Sequence, residues 1–582
     1  MTIAAASPGA GATLWQPVGP FGGSAAVVRV SHSQPDVLLA ATRNALLFRS
    51  LDRGTTWTHV RFPTQFSGHL HTIEIDPEKP NTWYAGIEDD FPSLSGVYRT
   101  DDGGVTWTQL KSLAGIAVWS LAIREGDPET MAVGAADGVY LSHDRGETWN
   151  KISPDSKRDL RPVVSLSFDA SNRDALYAGT THLPWRTSNG GAAWDSINSG
   201  MLDDSDVFSI RTDPHKPGRV FASACSGAYR SDNGGNHWSR LATPLGAFRV
   251  YLIALDPNQA DRVFAATSSG LLKSVDAGAT WKKVSTHPIH SIAFDPATVG
   301  RIYFASETAG ILVSSDGGDT LHETNQGFSN ENFMGLAGDG ADLYVNFAAS
   351  GRTLLSSPDA GQTWTPLHAA PGGNVTAFAA ASGEHKILLA ATAGGIFRSV
   401  DNGRAWAASP LPAATARTHP QIQQLQASGS ATFAAVTSAG AFTSEDAGRS
   451  WKACPAPHSG IEWYGLTMQA SGARLTFAAT SHGLFRSADR CQTWEQLTNG
   501  LTADTVSVVY IDPAKEGITF AAQDGRVFRS TDSGANWQPI GDGAASAGSN
   551  PIGLLILPSR PERLFALFPR LGVFYDDLEA IQ

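Results

Sequence analysis

Arg-Ser-Thr-Asp-Ser-Gly-Ala-Asn-Trp, Arg529 to Trp537, is one copy of a short pattern that recurs from one end of the chain to the other. Its core is Ser/Thr-x-Asp-x-Gly-x-x-Trp. The acidic slot is filled by Asp52, Asp102, Asp144, Asp276, Asp316, Asp359, Asp401, Asp446, Asp489 and Asp532, and by Asn189 and Asn233. Successive copies stand roughly 43 residues apart, a period that marks a repeat architecture. The pattern describes a self-contained turn. An Asp or Asn side chain accepts hydrogen bonds from the amides just downstream, and glycine takes a backbone angle that other residues resist. The tryptophan, for example Trp57 or Trp364, then anchors the returning strand. A device repeated this often is a folding element, not a set of active sites.

Each unit between turns follows one plan. Apolar runs such as Val163–Phe168 and Arg262–Thr267 alternate with turn residues such as Asp213-Pro214-His215-Lys216-Pro217-Gly218. Four short strands per unit predict a propeller blade, and no stretch carries the 3.6-residue periodicity of a helical solenoid. The fold class expected is therefore all-β: tandem β-propellers of four-stranded antiparallel blades, about thirteen blades in all. The pattern resembles the Asp-box, or bacterial neuraminidase repeat, and the resemblance covers almost the whole chain. Xyloglucanase-type, sortilin-type and photosystem II assembly factor-type propellers share this layout. It implies a WD40/YVTN/BNR-like propeller of the sialidase-like superfamily, in which the boxes lie at the rim. Function in such proteins comes from loops before the first strand and between the second and third.

Composition agrees with many strands and tight turns: glycine is abundant at 59 residues and only 17% of residues are charged. A net charge of -12 argues against a nucleic-acid footprint. No run reaches the ~18 apolar residues of a membrane span. Met1 to Thr13 lacks the basic start of a signal peptide, so the chain as written reads as soluble and cytoplasmic, or as secreted or periplasmic if a leader was removed. Cys225, Cys454 and Cys491 are scattered and odd in number, which predicts reduced thiols, with neither a disulfide nor a zinc site.

Trp15-Gln16-Pro17-Val18-Gly19 matches the strand after a box, Trp537-Gln538-Pro539-Ile540-Gly541, and the last unit stops at Asp577 without a tryptophan. Propellers close by building one blade from both chain ends, because an open ring leaves bare sheet edges. Thirteen blades exceed the usual ring, which predicts two rings. Leu321 replaces the tryptophan of one box. The division expected is a seven-bladed ring over 1–320, closed by Trp15–Gly19, and a six-bladed ring over 321–582. The alternative inserts one ring within the other.

Candidate site residues come from the two loop classes. Those proposed for ligand binding are Phe66, His69, His71, Glu88, Asp90, Trp119, His182, Trp185, Asp206, Trp463 and Tyr464. Asp89 and Asp204 are the candidate catalytic carboxylates, in acidic loops of blades two and five, since glycoside hydrolysis needs a carboxyl pair about 5–9.5 Å apart. Trp185 is expected to be exposed. The xyloglucanase signature Asp-Val-Gly-Gly-x-Tyr-Arg is absent; the matching stretch, Thr42-Arg43-Asn44-Ala45-Leu46-Leu47-Phe48-Arg49, has no carboxylate. A sialidase-type arginine motif is likewise absent. His69 and His71 alternate to one face of a strand, but without a third ligand they read as channel lining, and no metal or cofactor is expected. The resulting expectation is a non-catalytic binding or assembly scaffold for a protein or glycan partner. Its alternative is a xyloglucanase-like glycoside hydrolase with paired carboxylates in a cleft between the rings.

Overall fold

The computed structural model describes residues 15–578 except 63–65, 203–205, 242–247, 349–353, 368–372, 383–384, 413–419, 470–473 and 541–548. The described residues form four-stranded antiparallel sheets joined by short turns, as expected. They divide into two compact units, one of Gly22–Asn330 and one of Met1–Phe21 with Glu331–Gln582.

The Gly22–Asn330 unit holds seven blades. Blade one is built from Val27–Val30, Leu38–Ala41, Leu47–Ser50 and Thr58–Val60, and blade seven from Ile289–Phe294, Ile302–Ser306, Gly310–Ser314 and His322–Glu323. First strands of successive blades pack side by side, and that of blade seven returns to that of blade one, so the ring is closed. Its two ends meet where Gly22–Gly23 pairs in parallel with Ser329–Asn330.

The other unit holds six blades. Its closing blade combines Gly553–Leu557, Arg560–Phe568 and Gly572–Asp577 with the N-terminal strand Gln16–Gly19. The expected closure is thereby corrected. Trp15–Gly19 completes the thirteenth blade, with Gln16 opposite Tyr575, and blade seven uses its own strand His322–Glu323. Trp15 is buried against Phe568, with ring centroids 6.2 Å apart. The inserted arrangement replaces the sequential one at 320.

The recurring turn behaves as its chemistry dictates. Ser50 Oγ donates to Asp52 Oδ1 at 2.8 Å and accepts from Gly54 N at 2.8 Å, while Asp52 takes Thr56 N at 2.8 Å and Thr56 Oγ1 at 2.6 Å. Desolvation pushes the Asp276 carboxyl up only slightly; the bonds from Thr280 and Ser274 dominate and bring it to about 2. The tryptophan joins neighbouring blades: Trp57 Nε1 donates to Thr324 O at 2.7 Å, and Trp364 Nε1 to Val18 O at 3.0 Å.

One box differs. Cys491 takes the glycine slot with φ +69° and forms a disulfide with Cys454, at the end of the outer strand of the preceding blade. The expectation of three reduced thiols is corrected for this pair, and Cys225 remains free. Sequence spacing hid the partnership because the cysteines meet across a blade boundary, 37 residues apart.

Candidate functional site

The seven-bladed ring gathers polar chemistry at the start of its first strands. His69 and His71 open the first strand of blade two, His69–Ile75, and Glu88 ends the strand beside it, Trp83–Glu88, opposite His69. Alternation puts His69 and His71 on one face, with rings 5.9 Å apart, and the His71 ring lies 5.9 Å from Trp119 of blade three. His71 Nε2 is 2.8 Å from Glu88 Oε2. Across blade one, His290 Nε2 is 3.6 Å from Glu307 Oε2. Arg43, exposed in the loop between the second and third strands of blade one, feels both histidines. Burial lowers the pKa of His71 and outweighs the Glu88 contact that raises it. Burial, then the Arg43 charge, lowers that of His290. Both imidazoles are therefore neutral near pH 7.

Below this mouth runs a cavity of 410 Å³ lined by His71, His290, Arg29, Glu74, Arg211 and Ser291, among others. Arg29, Glu74 and Arg211 occupy one register position of the first strands, opposite Leu39, Tyr84 and Phe221. Blades three, six and seven put alanine there: Ala122, Ala254 and Ala293. Arg29 donates to Glu74 Oε1 from Nη2 at 2.7 Å and Nε at 2.9 Å, and to Ser291 Oγ from Nη1 at 2.9 Å. Arg211 Nη1 donates to Ile210 O at 2.8 Å and Ser165 Oγ at 3.2 Å. Desolvation, then repulsion from Arg29, pulls Arg211 down to about 10. These channel charges and Glu307 were missed from sequence; a charged side chain at a position where sister blades carry alanine was the available signal.

The axis of the six-bladed ring differs in kind. Its cavity of 540 Å³ is lined by Phe333, Gln424, Gln426, Tyr464, Tyr510 and small apolar residues, with no acidic or basic side chain among the described lining residues. Tyr464 is 40% exposed there and donates to Glu462 Oε2 at 2.9 Å.

Several expected site residues lie elsewhere. Asp89 is buried, and its carboxylate is filled by Ser67 N at 2.8 Å, Gly68 N at 3.0 Å and Phe91 N at 2.9 Å. Burial pushes its pKa up, but the amides of Phe91, Gly68 and Ser67 win and hold it below the usual carboxylate range. It ties loops together and has no free lone pair for chemistry, so the catalytic expectation is corrected; Asp204 lies outside the described residues. Phe66 packs on Phe62 and Tyr98, with centroids 5.3 and 5.2 Å away. Trp185 is buried, not exposed, because it sits inside the strand Pro184–Thr187. Trp463 is buried too, 5.9 Å from Trp494. Asp90 is exposed beyond Glu88. His182 and Asp206 are half-buried, with the Asp206 carbonyl accepting from Cys225 N at 3.2 Å.

No family model matches the chain. Among curated proteins, a xyloglucanase of Hypocrea jecorina is 24% identical over 259 residues, 36% of this chain and 30% of that protein. A xyloglucanase of a Paenibacillus species is 24% identical over 34% of this chain and 24% of its own length. The matches thus span less than a third of these relatives. The fold likeness is wider. A GH74 xyloglucanase from Xanthomonas campestris superposes with a TM-score of 0.71 at 18% identity, covering 97% of this chain and 100% of that one. A GH74 enzyme from Niastella koreensis gives 0.69 at 16% identity, covering 98% and 100%. At these identities the superpositions establish tandem β-propellers. These two relatives are xyloglucanases, and they count against the expectation of a non-catalytic scaffold and for its glycan-active alternative.

Proposed function

We propose that this chain is a glycoside hydrolase of Asp-box propeller type, acting on a glycan at the mouth of its seven-bladed ring. The observation that carries the reading is the Glu88 carboxylate held 2.8 Å from His71 Nε2 at that mouth. Glu88 and Glu307 come from the blades on either side of Arg43, each beside a neutral histidine. The sequence likeness to xyloglucanases supports a polysaccharide substrate.

Hydrolysis of a glycosidic bond needs one carboxyl group to protonate the leaving oxygen and another to activate water or attack carbon. Glu88, with His71 at 2.8 Å, is the base or nucleophile: a neutral imidazole N–H steadies the carboxylate and orients it. Glu307, less closely held at 3.6 Å from His290, is the acid. Trp119, beside His71, offers a face on which a sugar ring stacks.

The test is hydrolysis of a polysaccharide panel and of aryl glycosides by wild type, Glu88→Gln and Glu307→Gln. The Glu88 variant is expected to lose at least ~100-fold on every substrate. The Glu307 variant should lose as much on polysaccharide yet keep activity on glycosides whose leaving group needs no proton. Wild-type protein inert on the whole panel, or variants as active as wild type, would overturn the assignment.

A further inference from the structure

The charge in the seven-bladed ring points to the kind of glycan, and the argument rests on the hydrolytic reading above. Three guanidiniums, Arg29, Arg43 and Arg211, share the cavity and its mouth with three carboxylates, Glu74, Glu88 and Glu307. Arg29 and Glu74 neutralise each other at 2.7 Å. Arg211 makes no ion pair among the described residues, and Glu74 acts on it only through longer-range attraction. Its hydrogen bonds among the described residues are made by Nη1, to Ser165 Oγ, Leu166 O and Ile210 O. A half-buried guanidinium that lines a channel without an ion pair offers a site that an anion can complete. At the mouth, Arg43 is exposed and makes no ion pair among the described residues. His71 and His290 add no charge near neutral pH.

We propose that the substrate is an anionic, uronate-bearing glycan, whose carboxylate is taken by Arg43 at the mouth and by Arg211 in the channel below. A carboxylate matches the planar fork of a guanidinium, and a channel walled by protein weakens screening by salt. A neutral polysaccharide of the xyloglucan kind leaves both cations unpaired and is bound less well.

Binding is measured by calorimetry with sulfur-linked, uncleavable oligosaccharides: one bearing glucuronate, its methyl ester, and the neutral glucose counterpart of equal length. The acid is expected to bind wild type about tenfold more tightly than either, the worth of one charge-assisted hydrogen bond. Arg43→Gln and Arg211→Gln should each shrink that preference to about threefold or less. Arg43 is exposed, so its variant folds even if the Arg211 variant does not. Equal binding of acid and ester, or a preference intact in Arg43→Gln, overturns the proposal, as does binding of none of the three. Cleavable counterparts separate the two readings. An acidic glycan bound preferentially but never cut sinks the hydrolase assignment alone, and a neutral glycan cut while the acidic one is ignored sinks this one alone.

Discussion

Breaking the Cys454–Cys491 disulfide is expected to destabilise the six-bladed ring by an amount that depends on which cysteine is replaced. The bond closes a loop across a sequence separation of 37 residues, and chain-entropy loss in the unfolded state sets its worth at about 4 kcal/mol. Cys491 also holds φ +69° where sister boxes have glycine, as at Gly54 with φ +81° and Gly146 with φ +83°. A side chain in that region costs about 1 kcal/mol. Cys454→Ala loses the cross-link and keeps the strain, a loss of about 4 kcal/mol. Cys491→Gly loses the cross-link but relieves the strain, a loss of about 3 kcal/mol. At about 2–4 °C per kcal/mol for a unit of this size, the first variant melts roughly 10 °C below wild type and the second a few degrees above the first. Scanning calorimetry reads the shift, and thiol titration in denaturant checks the chemistry. Cys225 alone should react before reduction, and all 3 cysteines after it. Full thiol reactivity without reductant in protein folded in an oxidising compartment would refute the reasoning. So would a Cys491→Gly protein less stable than Cys454→Ala.

Two further outcomes follow from buried groups. Asp89→Asn should lower the melting temperature, because Ser67, Gly68 and Phe91 share one carboxylate and an amide cannot satisfy all three donors, a loss of about 2 kcal/mol. An Asp89→Asn protein with unchanged melting and abolished turnover would return Asp89 to the catalytic pair. The seven-bladed ring should also weaken in mild acid through His71 and His290. Their folded pKa values lie below the ordinary 6.5, so the unfolded chain binds more protons in the window beneath it. Their contribution is complete above about pH 6.5 and falls as pH drops toward the folded values. A pH series of melting curves, with the double variant His71→Gln/His290→Gln, should show a shallower acid slope in the variant; identical slopes contradict the assignment.

The blade plan was legible because it is local. A hydroxyl, an acid, a glycine and a tryptophan within eight positions specify their own hydrogen bonds, and repetition makes the signal unmistakable. Ring closure was half legible. Leu321 lies in the last blade of the Gly22–Asn330 ring, and Gln16–Gly19 is an edge strand of its own sheet. Which blade receives that strand depends on pairing between the two ends of the chain, Gln16 with Tyr575, which no local pattern encodes. Trp185 was misread because Pro184 suggests a loop, whereas here proline begins a strand and leaves the tryptophan inside it. His71 and Glu88 were found because they border their own hairpin. Glu307 was not, since its relation to them runs through a neighbouring blade.

The same logic explains where function can reside in this architecture. The rim turns satisfy themselves: Asp52, Asp276 and Asp532 spend their carboxylates on their own amides and hydroxyls, so they have nothing left for a ligand. At the axis the reverse holds. First strands of seven blades bring one residue each to a common level, and most of those residues are small or neutral. A charge at that level has few protein partners, because its sequence neighbours point away and its opposite numbers are across a channel. Arg29 finds Glu74 there; Arg211 finds only carbonyls and a hydroxyl. Desolvation, then repulsion from Arg29, outweighs the attraction of Glu74 and depresses Arg211 to about 10, which is a cost to the folded ring. That cost is removed by a bound carboxylate and not by a neutral sugar. Raised thermal stability of the protein in the presence of the acidic oligosaccharide, absent with the neutral one and absent in Arg211→Gln, is the thermodynamic counterpart of the same preference.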